Sequence, residues 1–236
     1  MRELFIFLDL DDTILDFQWA EQRSLAAALK GVGIEMDPAL HRRYREINCR
    51  QWELLEEGKL SREEVLVSRF EILFRERGIQ ASAQAVCDAY ESSLAVGHRF
   101  MPGAEEALRE LAGKHRLYLA SNGSAPVQAA RIRSAGLAPL LDGIFISAEI
   151  GADKPSLAYF ERCFAQIPGF ARDRAIIVGD SLTSDIRGGL NAGIKTCWYD
   201  PWYRPERADI VPNYTIRHMK ELPSLLSQIS ERGVMP

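Results

Sequence analysis

The sequence predicts an α/β fold built on an open parallel sheet, and three observations carry that reading. Short apolar runs rich in β-formers occur at Leu4-Phe5-Ile6-Phe7-Leu8, Leu117-Tyr118-Leu119-Ala120, Ile144-Phe145-Ile146-Ser147 and Ala175-Ile176-Ile177-Val178. From Met101 onward such runs alternate with helical patterns, the signature of a parallel sheet covered by helices on both faces. From Asp16 to Phe100 the periodicity is helical throughout, with no convincing strand. Together these give a Rossmann-like open parallel sheet with an inserted all-helical unit between its first strand and the rest.

The elements follow in order. After the first strand a helix spans Gln18 to Lys30 and stops at Gly31 or Gly33. Leu40, Tyr44, Ile47, Gln51, Leu54 and Leu55 recur at helical spacing, with Gly58 as terminator. Ser61 with Glu64 is a capping-box pattern, opening a helix that carries Leu66, Phe70, Leu73 and Phe74 and ends near Gly78. Val86, Tyr90 and Leu94 mark a fourth helix of the insert. Ala104, Leu108 and Leu111 mark the next, ending near Gly113. A helix also follows Pro126, ending near Gly136, and Leu157, Phe160 and Phe164 mark the helix that Lys154 opens. Another runs from about Ser184 to Gly193. Lys195 to Tyr199 and Tyr214 to Ile216 read as the last strands, and Leu222, Leu225, Leu226 and Ile229 as the last helix. Gly233 to Pro236 are expected to fray. Residues 1–15 and 101–236 therefore form the α/β unit, and 16–100 the helical one.

Composition narrows the classes. A chain of 236 residues is long enough for one α/β domain with a smaller inserted one. A net charge of −4 offers no electrostatic case for a nucleic-acid polymer or a membrane surface. There is no long apolar span and no signal-peptide pattern. Cys49, Cys87, Cys163 and Cys197 lack metal-ligand or redox spacing and read as reduced, mostly buried thiols of a cytoplasmic protein. The segment of His41, Arg42, Arg43 and Arg45 reads as a solvated helix face, and Trp198 and Tyr199 as a strand end packed in the core.

The chemistry sits at the ends of the strands. Asp9-Leu10-Asp11-Asp12-Thr13 places crowded carboxylates after the first strand, where they repel one another and resist desolvation unless a cation is present. The alternative is a solvated acidic turn. The second run ends in Ser121-Asn122-Gly123, the third is followed by Lys154-Pro155, and the fourth ends in Gly179-Asp180-Ser181-Leu182-Thr183-Ser184-Asp185. In an open parallel sheet ligands bind outside the carboxyl ends of the strands, so these loops can converge on one site.

In this order and context the four segments resemble the signature motifs of the haloacid dehalogenase (HAD) superfamily. Asp9, Asp11 and Thr13 match the first motif, Ser121 the second, Lys154 the third, and Gly179, Asp180 and Asp185 the fourth. The resemblance implies that the helical insert is a cap over the active site, able to close and exclude water. It implies Mg²⁺ held by the side chains of Asp9 and Asp180 and the main-chain carbonyl of Asp11. Asp9 becomes the nucleophile of an aspartyl-phosphate intermediate, and Asp11 the general acid and base. Ser121, with the N–H groups at Asn122 and Gly123, binds a phosphoryl oxygen, and Lys154 neutralises Asp9 and the phosphoryl group. Thr13 holds the loop through its hydroxyl, and Asp12 serves loop hydrogen bonding. Asp185 either orients a water or Lys154, or is a charge at a helix N-terminus.

Asp11 favours phosphoryl chemistry over dehalogenation, because halide leaves without a proton. Phe17, the Leu55-Glu56-Glu57-Gly58-Lys59-Leu60 run, Arg69-Phe70 and Gly179 to Ile186 make the chain similar to the pyrimidine 5′-nucleotidase subgroup. The expected substrate is a nucleoside 5′-monophosphate, and the expected assembly a monomer or homodimer. A phosphatase for another small metabolite, such as phosphoglycolate or a sugar phosphate, and a phosphomutase remain open. An idle binding module predicts loss of Asp9, Asp11, Lys154 or Asp180, and all four are present.

Overall fold

The structure of the protein is a computed structural model that describes residues 3–232, so Gly233 to Pro236, expected to fray, lie outside the described residues. The strands are β1 (Phe5–Leu8), β2 (Arg116–Ser121), β3 (Gly143–Ile146), β4 (Ala175–Gly179), β5 (Lys195–Tyr199) and β6 (Tyr214–Ile216). Among the described residues they form one parallel sheet in the order β3-β2-β1-β4-β5-β6. Every residue of β1 and β4 is buried, as expected of central strands covered on both faces. Alternation sorts their side chains. Ile6, Leu8, Leu117, Leu119, Ile176 and Val178 meet the helices α5 (Ala104–Leu111) and α10 (Leu222–Arg232). Phe5, Phe7, Tyr118, Ala120 and Ile177 meet α8 (Leu157–Phe164) on the opposite face.

From β1 the chain moves outward to β2 and β3, then returns to place β4, β5 and β6 on the other side. The reversal lies where β1 separates β2 from β4, which is where ligands bind in sheets of this kind. The loops after these strands carry the residues singled out from the sequence.

The insert consists of α1 (Phe17–Lys30), α2 (Pro38–Glu56), α3 (Arg62–Arg77) and α4 (Ala83–Leu94). Local chemistry sets their limits. Asp16 accepts from Trp19 N–H at 2.8 Å, and Asp37 accepts from Ala39 and Leu40, with Pro38 in the first turn. Ser61 and Glu64 cap each other's backbone reciprocally. Gly78, at φ 66°, ends α3 in the left-handed region that an L side chain resists. The helices share an apolar core of their own, including Leu25, Leu29, Tyr44, Phe70, Leu73 and Tyr90, and Val127 of α6 (Ala125–Ser134) joins it from the α/β unit. The two ends of the insert lie side by side: Asp16 N–H donates to Arg99 O at 2.8 Å and Met101 N–H to Ile14 O at 2.9 Å.

Several local expectations are corrected. Ser147 leaves the strand and starts a single helical turn, α7 (Ser147–Ile150). Lys154 does not open a helix: a cis bond joins it to Pro155, and α8 begins at Leu157, capped by Ser156. The helix placed from Ser184 begins earlier, as a wide π turn over Leu182–Ile186 that runs into α9 (Arg187–Asn191). The basic face of α2 is partly turned inward, because His41 Nε2 lies 3.3 Å and Arg45 Nε 3.8 Å from the buried Glu21 carboxylate. Cys49 is exposed, while Cys87, Cys163 and Cys197 are buried free thiols. Among the described residues no helix is long and apolar enough to cross a membrane.

Phe70 is fully buried at the centre of the insert, in tilted and edge-on contact with the rings of Tyr44, Phe74 and Tyr90. Phe70→Ala is expected to cost about 3–5 kcal/mol in urea unfolding monitored by circular dichroism. A loss below about 1 kcal/mol would show that the insert does not depend on this core.

Candidate active site

Four loops meet at the carboxyl ends of β1, β2 and β4 and after α7. At their centre is the Lys154 ammonium, 2 % exposed, donating to Asp9 Oδ1, Asp185 Oδ1 and Ala120 O, each at 2.7 Å. All three of its hydrogens thus have acceptors. Burial alone would drag this amine's pKa down, but Asp185 and Asp9 outweigh burial and hold it above its ordinary value. Asn122 keeps the lysine in place by stapling two loops: its Oδ1 accepts from Lys154 N–H at 2.9 Å and its Nδ2 donates to Lys154 O at 2.8 Å. Asp185 turns its other oxygen to Ser181 N–H at 3.1 Å. Gly179 makes that possible, since a Cβ there would stand 2.2 Å from Asp185 Oδ2.

Ser121 is buried at the end of β2, where its Oγ accepts from Gln128 Nε2 at 2.9 Å and Gly123 N–H at 3.2 Å. Its own hydrogen is left to donate onward. Asp11 points elsewhere: Arg131 Nη1 binds Oδ1 and Gln128 Nε2 donates to Oδ2 at 2.6 Å. Asp12, at φ 56°, accepts from Phe17 and Gln18 N–H, so it caps the entry to α1 as loop hydrogen bonding requires. Thr13 is fully buried, but its Oγ1 has no hydrogen-bond partner among the described residues. The expected hold through that hydroxyl is therefore absent, and main-chain bonds from Ile14 and Leu15 to Leu10 O close the loop instead.

The acids are crowded. Asp9, Asp180 and Asp185 each offer an oxygen, and these atoms lie within 4.8 Å of one another. Burial raises the Asp9 pKa to about 7, with Lys154 opposing and Asp185 and Asp11 adding to the rise. Burial, and then Asp12, Asp9 and Asp185, push Asp180 well above the carboxylate range, although Arg204 Nη1 lies 3.1 Å from its Oδ2. Carboxyls that resist ionisation because they are buried, and further because like charges surround them, are what a divalent cation would relieve. An all-oxygen donor set suits a hard ion such as Mg²⁺. Asp185 has both oxygens engaged, whereas Asp9 has one oxygen without a hydrogen bond among the described residues. The main-chain carbonyl of Asp11 accepts no hydrogen bond there either.

Asp9, Asp11, Ser121, Asn122, Lys154, Asp180 and Asp185 all line one cavity of about 490 Å³ between the sheet and the insert. Its upper wall comes from one face of α2, where Asn48, Trp52 and Glu56 follow at four-residue steps. Burial pushes the Glu56 pKa up to about 7, against a hydrogen bond with Thr183. Behind the wall, Arg69 donates to Asn48 Oδ1 and Glu91 Oε1, both at 3.0 Å, and Asn48 Nδ2 reaches Glu21 Oε2 at 3.3 Å.

Sequence reading missed the long side chains that complete the site. Gln128 and Arg131 engage Asp11. Arg204 binds Asp180 and the buried Asp200. Arg62, at the start of α3, crosses to Asn122 O, Ser147 Oγ and Asp153 Oδ1, joining insert to sheet. The pairing of Gln128 with Arg131 at i, i+3 in a helix following Ser121 was the available signal.

A family model described as haloacid dehalogenase-like hydrolase matches residues 5–193. The chain is 38% identical over 222 residues to the HAD-hydrolase YfnB of Bacillus subtilis (strain 168), covering 94% of each. It is 34% identical to the pyrimidine 5′-nucleotidase PynA of Streptococcus pneumoniae (strain ATCC BAA-255 / R6), covering 92% of each. It is 27% identical to the pyrimidine 5′-nucleotidase YjjG of Escherichia coli (strain K12), covering 96% of this chain and 99% of the other. A crystal structure of Bacillus subtilis YfnB, described as bound to magnesium and as revealing interdomain movement, superposes with a TM-score of 0.91 over 96% of this chain and 99% of that one.

Glu21 gives the wall a measurable pH signature. Burial raises its pKa from 4.5 to about 7, opposed by Arg45 and Arg69. A carboxyl raised on folding contributes its stability below its unfolded value and loses it as pH climbs through the folded one. Wild-type stability should therefore fall between pH 4.5 and about 7, and Glu21→Gln should fall less steeply. Urea unfolding at pH 5 and pH 8 measures this, and equal slopes in the two proteins would refute it.

Proposed function

The chain belongs to the haloacid dehalogenase-like hydrolase family, and we propose that it hydrolyses small phosphate monoesters, nucleoside 5′-monophosphates above all, with Mg²⁺ and through a phosphorylated Asp9. The observation that carries this reading is the Lys154 ammonium, held 2.7 Å from Asp9 beside Ser121. A phosphate monoester is so inert that its enzyme must supply acceleration of up to ~10²¹-fold. The parts required are an in-line nucleophile, a proton for the leaving oxygen and positive charge around the equatorial oxygens. Each has a candidate on this cavity.

In this reading the Asp9 oxygen not held by Lys154 attacks phosphorus, and the P–O bond to the substrate's alkoxide breaks. Asp11 gives that alkoxide its proton. Water then attacks the aspartyl phosphate and passes a proton to Asp11, releasing phosphate and restoring Asp9. Ser121 Oγ–H and Lys154 bind phosphoryl oxygens throughout. Asp9, Asp180 and the Asp11 carbonyl would hold the Mg²⁺, whose charge, when bound, screens the phosphoryl group from the carboxylates. Residues 16–100 serve as the lid, with the paired segments at 14–16 and 99–101 as its hinge. The nucleotide preference draws on PynA and YjjG, whose names give pyrimidine 5′-nucleotidase activity.

Phosphate release across nucleoside monophosphates, sugar phosphates and phosphoglycolate, with Mg²⁺ and with chelator, tests the reading. The expected result is fastest release from a pyrimidine nucleotide, lost on chelation; faster release from a sugar phosphate would move the substrate class. Asp9→Asn is expected to abolish turnover while keeping the circular-dichroism spectrum. Substantial Mg²⁺-dependent hydrolysis by that variant would contradict a covalent route.

A further inference from the structure

We propose that Gln128 and Arg131 are positioning residues for proton transfer, holding the Asp11 carboxylate where it can serve the leaving oxygen and tying it to Ser121. The inference rests on the reading of Asp11 as acid and base given above. Both Asp11 oxygens are held, Oδ1 by Arg131 Nη1 and Oδ2 by Gln128 Nε2. The Gln128 amide group also donates to Ser121 Oγ at 2.9 Å, while its Oε1 accepts from Arg131 Nη1 at 2.9 Å. That pattern fixes the amide. Reversed, it would turn its oxygen to a carboxylate and its NH₂ to a guanidinium.

The burial pattern fits a support. Gln128 and Arg131 are each 1% exposed, whereas the Asp11 side chain they hold is 30% exposed toward the cavity. The two lie at i, i+3 on one face of α6, which starts four residues after Ser121. Gly123 makes room for the contact, because a Cβ there would stand 2.3 Å from Gln128 Nε2. The Phe17 ring covers Arg131, its centroid 5.8 Å from Cζ, and Phe17 N–H is itself held by Asp12. The acid is thus braced by the α/β unit on one side and by the first residue of the lid on the other.

Such bracing matters because Asp11 acts twice, first giving a proton to the alkoxide as the ester bond breaks, then taking one from the attacking water. A free carboxylate would rotate away between the steps. The test compares the rate of leaving-group release in a single turnover, which reads phosphorylation of Asp9 alone, on the best alkyl monoester of the substrate panel and on p-nitrophenyl phosphate, whose leaving group departs without a proton. Gln128→Ala and Arg131→Met are expected to lose about 10²-fold on the alkyl ester, the scale of an ångström of misplacement. On p-nitrophenyl phosphate this first step needs no proton, so Arg131→Met is expected to stay within about threefold, and Gln128→Ala, which also releases Ser121 Oγ, to lose less than on the alkyl ester. Arg131→Lys should recover part of the loss, since it keeps the charge and Arg131 reaches both Asp11 and Gln128 through the single nitrogen Nη1. Retained aryl phosphatase activity also shows that each variant is folded.

Asp11→Asn serves as the reference. If it discriminates between the two substrates while Gln128→Ala and Arg131→Met lose both activities alike, or neither, the positioning role is overturned and the acid role stands. If Asp11→Asn itself lowers both equally, the acid role fails and the positioning role with it.

Discussion

A buried ammonium among carboxylates holds this site together. Lys154 has three acceptors at 2.7 Å and almost no exposure, and among the described residues its charge is compensated by Asp9 and Asp185. Removing one partner from such a group leaves an uncompensated buried charge, costing about 3–5 kcal/mol. The two carboxylates come from loops that follow different strands, and the lysine from a third loop. The contact therefore fixes where those loops end relative to one another. Gly179 gives Asp185 the space it needs, and Asn122 clamps the backbone of Lys154 from both sides.

The same geometry separates two aspartates only two residues apart. Asp9 still belongs to the strand end and turns toward Lys154, while Asp11 turns toward α6 and the insert. One carboxylate faces an ammonium with an oxygen to spare; the other is gripped at both oxygens. Between them and the insert stands Asp12, whose positive φ and bonds to Phe17 and Gln18 carry the chain directly into α1. Few residues separate Asp11 from the start of the insert, so the two are joined through Asp12 and Phe17.

Much of this was legible in the sequence, for identifiable reasons. Strands β1, β2 and β4 announce themselves as apolar runs, and Asp9, Ser121 and Asp180 stand at or just past their ends, so local order places them. The capping box at Ser61 and Glu64 is equally local. What could not be read depends on packing across the chain. Arg131 and Gln128 look like ordinary helix residues until α6 is docked, and Arg62 and Arg204 reach across more than one loop. Lys154 was tied to the wrong local element because the residues between it and α8 turn before they coil. Thr13 has the right residue type, but its buried hydroxyl meets no partner among the described residues.

The crowding of acids works against folding. Asp9, Asp12 and Glu56 each have pKa values raised to about 7, and burial is the largest cause in every case. A chain selected only for stability would replace such groups with apolar ones. Here they persist on a scaffold whose central strands are buried on both faces and whose insert has its own aromatic core. The apolar layers tolerate the electrostatic cost, and part of it lies around the cavity, at Asp9 and Asp180 on the strand ends and at Glu56 on α2. There the acids can be neutralised only by Lys154, by the arginines that reach them, by protons, or by whatever cation and phosphoryl group enter. Binding at this cavity therefore relieves a repulsion that folding itself leaves in place.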